Sequence, residues 1–424
     1  MEKVTSNKLK QSERMQKIGS TVLVVPFKVR PSVRSKLVVS PLCTETNEKF
    51  VSTVHYLPFV SNHCIGNSKP NDARFLSFYH LHAFDEIIGK ECDLVANGRI
   101  QCGLKFFQPL IVFNNTLFED FKTEEPVSIG YVVFRLVWSG TENIEQFVDK
   151  LYQTRALRYH GFDDVRDCKL DISLDDRKYN LAEEVIGGFK SHEVSLDWLG
   201  DKFICLHFFN RNNTLSDTQI YRLLRYPPTS YEFEFDEIKQ SAIPYLGRSA
   251  VLNEGALVFD GQILGEMFNK YFPAFLIALN QREVFKLRID IMAGFASNRP
   301  QYLMTSANSQ LKDMTLTRVQ QEFYHISDST EISGFFSELQ RVFSIELLIR
   351  DVKDSVEALH SLNEITSSRR LNSALLILGF LSVLSAVTDA LDLFGLSSIH
   401  LGFKMLVLVI LLSSIAIFVL KGKI

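Results

Sequence analysis

Two uncharged apolar runs near the C-terminus constrain this chain more than any other feature. Neither Leu371 to Val387 nor Met405 to Leu420 contains an Asp, Glu, Lys or Arg. With its flanks each run reaches the roughly 20 residues needed to span hydrocarbon as a helix, so the sequence predicts two transmembrane helices. A buried hairpin inside a water-soluble core is the alternative, and the basic residues after the second run disfavour it.

The flanks predict an orientation. Arg369 and Arg370 precede the first run and Lys421 and Lys423 follow the second, while the connection from Thr388 to Gly402 holds Asp389 and Asp392 and no Lys or Arg. Basic residues stay on the cytoplasmic side, which predicts a multi-pass protein of the inner (cytoplasmic) membrane with both termini cytoplasmic. Lys404 opposes this bias by one charge and can snorkel to the interface.

Composition narrows the partners. Forty-six Lys and Arg stand against 49 Asp and Glu, a formal net charge of -3, so no global charge points to direct nucleic-acid binding. The six cysteines, Cys43, Cys64, Cys92, Cys102, Cys168 and Cys205, form no Cys-x-x-Cys pair and read as reduced thiols. Residues 1–17 are charged and polar without an apolar core, which reads as a disordered lead-in and not a secretory signal.

Between the lead-in and the apolar runs the texture changes once. Thr21 to Val29, Leu37 to Ser40, Val51 to Tyr56, Val127 to Trp138, Lys202 to Phe209 and Ala256 to Asp260 are short runs rich in β-branched and aromatic residues, and read as strands. Glu142 to Arg155 reads as a helix after one of them. From about Gly265 the pattern is helical: Pro273 to Phe295 and Leu311 to Tyr324 read as helices separated by a turn near Ser297 to Ser309. Ile345, Leu348, Val352, Val356, Leu359 and Leu362 recur at spacings of three and four, the signature of an amphipathic stalk continuous from Phe335 to Val387. The expected fold class is therefore α+β: a cytoplasmic mixed α/β domain over 18–264, a helical layer with a long stalk helix over 265–370, and two C-terminal transmembrane helices within 371–424.

On the first apolar run Ser382, Ser385, Asp389 and Asp392 follow helical spacing on one face, with Asn372 and Gly379 close to the same stripe. In an oligomer such a face lines a pore, with Asp rings concentrating cations at its mouth. Equally compatible is a solvated loop carrying both Asp residues, with the Ser residues packing against neighbouring helices.

The ordered series of α/β domain, helical layer, long helix into a first span, short acidic loop, second span and basic tail resembles the CorA superfamily of cation channels. The likeness is carried by that architecture and by the stretch from Phe323 (FYHIS) to the C-terminus. In that family the first span ends in a Gly-Met-Asn signature that holds hydrated magnesium. The corresponding segment here is Gly395, Leu396 and Ser397, which keeps the glycine and loses Met and Asn. Ser lacks the amide carbonyl, so a magnesium filter is not carried over. The chain thus looks like the subgroup of CorA-like membrane effectors found beside type III CRISPR systems. That resemblance implies a homo-oligomer, a pentamer in the family, embedded in a lipid bilayer. It also implies gating by a nucleotide messenger, either an adduct of adenylate with S-adenosylmethionine or a cyclic oligoadenylate. The alternatives are a constitutive divalent-cation (magnesium) transporter and a non-conducting membrane-anchored receptor or scaffold.

A nucleotide needs cationic and stacking groups, and two local clusters carry them: Arg155, Arg158, Tyr159 and His160, and Arg222, Arg225 and Tyr226. For each, a solvated helix end with ordinary aromatic packing is the better reading. No phosphate-binding Gly-rich loop, dinucleotide fingerprint, His-Glu-x-x-His or Gly-x-Ser-x-Gly is present, so no enzyme is expected. His80 and His82 beside Asp85 and Glu86 have metal-binding chemistry, but on one short segment they read as a polar surface.

Overall fold

A computed structural model of the chain describes residues 17–46, 55–60, 76–96, 99–119, 125–139, 171–174, 177–191, 196–199, 203–210, 215–225, 242–243, 246, 248–252, 255–260, 264–298 and 300–393. The chain divides into two compact units, Met1–Gly294 with Arg318–Val352, and Phe295–Thr317 with Lys353–Ile424.

The first unit is built on two long strands, β1 (Lys17–Val29) and β7 (Ser128–Ser139). They pair antiparallel along almost their whole length, Val22 opposite Arg135 and Val29 opposite Ser128. Both are dense in β-branched and aromatic residues, which suits a pleated surface buried on both faces. They centre a 13-stranded sheet among the described residues. On one side of β1 lie β11 (Ile204–Asn210), then β13 (Gly255–Asp260) and β12 (Ala250–Leu252). On the other side β7 carries two branches. One continues through β5 (Arg99–Phe106), β4 (Glu91–Ala96), β8 (Asp171–Leu174) and β9 (Arg177–Asn180). The second runs through β6 (Leu110–Asn114), β3 (Leu76–Leu81) and β2 (Cys43–Glu45), while β10 (Asp197–Trp198) pairs the end of β1. Among the described strands only β11 and β13 pair in parallel.

Aromatic rings fill the core beneath this sheet. Phe134 meets Phe84 and Phe203 edge-on at 5.7 and 5.9 Å, and Phe27 meets Phe113 at 6.2 Å, geometries that favour ring quadrupoles. Gly130 is required where it stands, since a Cβ there would lie 2.3 Å from the Phe27 ring.

Helix α1 (Pro31–Val39) follows β1 directly, with Pro at its first turn and buried Leu37 facing the core. The strand expected over Leu37 to Ser40 is thus helix: Pro31 fixes a helical φ, and that start outweighs the β-branched Val38 and Val39. Helix α2 (Leu181–Ser191) contains Gly187 and Gly188, and a methyl group at Gly188 would meet Leu42 and Ala83 at ordinary contact distance. Helix α3 is Asp217–Arg225.

Helix α4 (Leu264–Asn298) runs through Pro273, and α5 (Pro300–Gln321) starts at the next proline, so most of the expected turn near Ser297 to Ser309 is helical. Next to Pro273 the buried Tyr56 hydroxyl donates to the Lys270 carbonyl (2.5 Å) and accepts from the Ala274 N–H (3.2 Å). A side chain thereby stands between two helical backbone groups beside the rung that proline cannot make. The stalk expected to be continuous from Phe335 breaks into α6 (Thr330–Val342) and α7 (Ile345–Leu393, 49 residues) at Ser344, whose φ is 56°.

The membrane part of the expected fold class is corrected: among the described residues no helix is long and apolar enough to cross a membrane. Among the described side chains of α7 the exposed large apolar ones are Leu347, Ile365, Leu371, Leu375, Leu376, Ile377, Leu378 and Leu381, with Asn372 and Ser373 set among the last six. The run Met405 to Leu420 lies outside the described residues. The expectations of a membrane protein, of an ion channel and of a multi-pass inner-membrane location rested on those two helices and are withdrawn with them. Mixed α/β content is what the described residues do show.

Candidate functional site

The strands of the β6–β7 branch end beside α1, and the gap between them is a cleft of about 420 Å3. Its apolar wall is made by Val29, Val38 and Leu117, and its polar groups are Arg30, Arg34, Tyr79, Asn115 and Ser128. Local sequence explains the placement. Arg30 stands just before the first turn of α1 and Arg34 one turn further on, and both line the cleft. Helix α1 carries Arg34 and Lys36 and no Asp or Glu.

Arg34 is half-buried and oriented on both sides. One NH2 group donates to Asn115 Oδ1 at 2.6 Å, and the guanidinium lies 5.2 Å from the centre of the Phe113 ring. Asn115 is in turn held by Ser77, whose hydroxyl accepts from its Nδ2 at 3.0 Å. Arg34 is thus fixed by neutral groups, and among the described residues no carboxylate pairs with it, so its charge is available to a ligand. The nearby carboxylate, Glu125, accepts from the Ser32 hydroxyl at 2.7 Å. Val39 is 83 % exposed and Leu117 49 %, leaving an apolar rim at the mouth. An apolar wall, a tyrosine and two arginines, one of them oriented, suit a small anion that carries a flat or apolar body.

Behind the cleft runs a chain of buried amides. Ser128 donates from its hydroxyl to the Asn114 carbonyl, and Asn114 Nδ2 donates to Asn280 Oδ1 on α4 at 2.8 Å. The Tyr131 hydroxyl donates to the same oxygen at 3.1 Å, while Asn280 Nδ2 donates to Gln321 Oε1 at 3.0 Å. Gln281 Nε2 donates to the backbone carbonyls of Gln321 and Phe323 at 2.6 and 3.0 Å, and Gln340 Nε2 donates to Gln281 Oε1 at 3.0 Å. Burial pushes the Tyr131 hydroxyl well above its ordinary pKa, and the Glu283 carboxylate adds to the shift.

A second buried polar group lies on α4. Lys270 reaches Asp260 at 3.2 Å and Glu331 at 2.5 Å, and Tyr271 donates to Asp260 Oδ2 at 2.9 Å. Desolvation and the Asp260 charge raise the Tyr271 pKa, and a paired, hydrogen-bonded lysine of this kind is structural.

The residues singled out from the sequence fall elsewhere. Arg155, Arg158, Tyr159, His160 and Tyr226 lie outside the described residues. Arg222 and Arg225 lie in α3, without described side chains. Asn372, Gly379, Ser382 and Ser385 are exposed on α7; Asp389 and Asp392 belong to the same helix, while Gly395, Leu396 and Ser397 lie outside the described residues. His82 Nδ1 contacts Asp85 at 3.0 Å and its Nε2 contacts the Thr44 hydroxyl at 2.8 Å. Glu86 turns instead to Tyr179 (2.7 Å) and Arg177 (2.5 Å), whose hydrogen bond and charge hold its carboxyl below the usual range. Among the described residues no group of three His, Cys, Asp or Glu is placed to hold a metal. Sequence reasoning missed Arg30 and Arg34; the available signal was two arginines four apart around Pro31, at the junction of a strand and a helix.

No protein-family model matches the chain, no curated protein matches it, and no solved structure matches it. Geometry and chemistry alone therefore carry the functional assignment.

Proposed function

We propose that this chain is a ligand-responsive binding protein whose cleft between α1 and the β6–β7 branch takes a small anionic ligand of the nucleotide class. The observation that carries this is Arg34: half-buried, aimed by Asn115 and Phe113, and left without a described carboxylate partner beside Arg30 and the Tyr79 ring. Arg30 and Arg34 bind the phosphates, and Tyr79 with Val29, Val38 and Leu117 receives the base. Adenine messengers, including the adenylate adduct of S-adenosylmethionine and cyclic oligoadenylates, are the first ligands to test. Isothermal titration of the full chain with such a panel is expected to give saturable binding, weakened at least about tenfold by Arg34→Gln, since a charged hydrogen bond is worth roughly 1.5–3 kcal/mol. Absence of binding across the panel contradicts the proposal.

A second reading concerns α7. Leu371, Leu375 and Leu378 are 61 %, 56 % and 59 % exposed and follow each other at spacings of four and three, the pattern of a helix that packs against a copy of itself. Self-association through this stripe makes the protein a homo-oligomer. Sedimentation velocity of the full chain is expected to show an oligomer that Leu375→Glu with Leu378→Glu dissociates. A monomer at every concentration, or transfer into phospholipid vesicles in place of self-association, contradicts it.

A further inference from the structure

The cleft and the break between α6 and α7 are ends of one polar path. At the break, Ser344 adopts a left-handed φ of 56°, rare for a residue with a side chain. Beside it opens a groove of about 570 Å3 lined by Tyr324, Ser337, Gln340, Arg341 and Ser344. Gln340 therefore faces two ways: it lines this groove, and it is the last amide of the chain that begins behind the cleft at Ser128 and Asn114.

Two details make this path more than a packed core. From Asn114 onward each residue of the path is an amide, and Gln281 and Gln340 also donate to the Phe323 backbone carbonyl, so the path is tied directly to the backbone that leads into α6. One link is also incomplete: Gln321 accepts from Asn280, but its own Nε2 is buried with no hydrogen-bond partner among the described residues. A buried unpaired donor is destabilising, which makes Gln321 the least satisfied link of the path.

Resting on the nucleotide reading of the cleft, we infer that ligand binding there is transmitted to the α6–α7 elbow through Asn114, Asn280, Gln321, Gln281 and Gln340. A ligand that draws on Arg34 and Ser128 shifts the end of β6, where Asn114 sits; Asn280 follows, and the elbow amides change their stability. Asn280 and Gln340 are positioning residues, since neither lines the cleft.

Hydrogen exchange on the full-length protein tests this, with adenosine diphosphate as probe and Phe343, Ser344 and Leu348 as reporter amides, which bond to Leu339, Arg341 and Ser344 carbonyls. Saturating probe is expected to change exchange at these amides by about fivefold or more, the low end of ordinary coupling between sites. Asn280→Leu is expected to abolish that change while binding persists, and Gln340→Met repeats the test if the first variant does not fold. Probe binding with an unchanged elbow, or an elbow response that survives both substitutions, overturns the inference and leaves the cleft reading intact. Failure of the probe and every other adenine nucleotide to bind overturns both.

Discussion

Asn114, the last residue of β6, donates from Nδ2 to Oδ1 of Asn280 in the middle of α4, 2.8 Å away and fully enclosed. The bond fixes the end of a strand that borders the cleft to the helix that carries the rest of the buried amide chain. Its removal has consequences of a size that can be stated.

Asn280 serves three partners at once, Asn114, Tyr131 and Gln321. Asn280→Leu keeps the volume and orphans all three, so unfolding in urea should show a loss on the order of 3 kcal/mol. Gln321→Met should cost less, since the Nε2 it removes is already unpaired.

Tyr56 holds α4 at Pro273. Tyr56→Phe preserves the ring but leaves the Lys270 carbonyl and Ala274 N–H without the hydroxyl, and should lower stability by about 1–3 kcal/mol in denaturant unfolding. Thermal unfolding should fall in step, with no change in cleft binding.

Ser344 is the position where glycine suits the backbone better than the native residue. Ser344→Gly should be neutral or stabilising by roughly 0.5 kcal/mol, and Ser344→Val should destabilise by about 1 kcal/mol or more, measured as shifts in the unfolding midpoint.

Alkaline pH should weaken the first unit. Burial raises the pKa values of Tyr56, Tyr131 and Tyr271 above the ordinary tyrosine value near 10, so the folded state holds these protons after the unfolded state has released them. That stability is complete below pH about 10 and is lost as pH rises above it. Ultraviolet titration should show these tyrosines ionising only as the protein unfolds. The exposed Glu86 has the opposite sign: its lowered pKa contributes above the usual glutamate range and is lost as pH falls through its folded value, and Tyr179→Phe should bring its NMR midpoint back up.

Much of the sheet was legible in the sequence because its central strands announce themselves. Thr21 to Val29 lies in β1 and Ala256 to Asp260 in β13, Ser128 to Trp138 and Ile204 to Phe209 of the other two runs lie in β7 and β11, and their apolar character comes from burial on both faces. Where local signals compete, tertiary context decided. Val38 and Val39 favour a strand locally, yet Pro31 starts a helix there. The break at Ser344 has neither Gly nor Pro to mark it. The apolar stretch of α7 was visible as composition, but composition alone did not determine what covers it. The cleft was not legible, because Tyr79, Asn115 and Ser128 come from separate strands and loops and meet Arg34 only through sheet register.

Photo-crosslinking of the full chain with 8-azido-adenosine diphosphate, followed by peptide mapping, tests the cleft most directly. Label on peptides containing Arg34, Tyr79 or Asn115, displaced by unlabelled nucleotide and reduced by Arg34→Gln, is the predicted result. Displaceable label confined to other segments, or no displaceable label at all, contradicts the account.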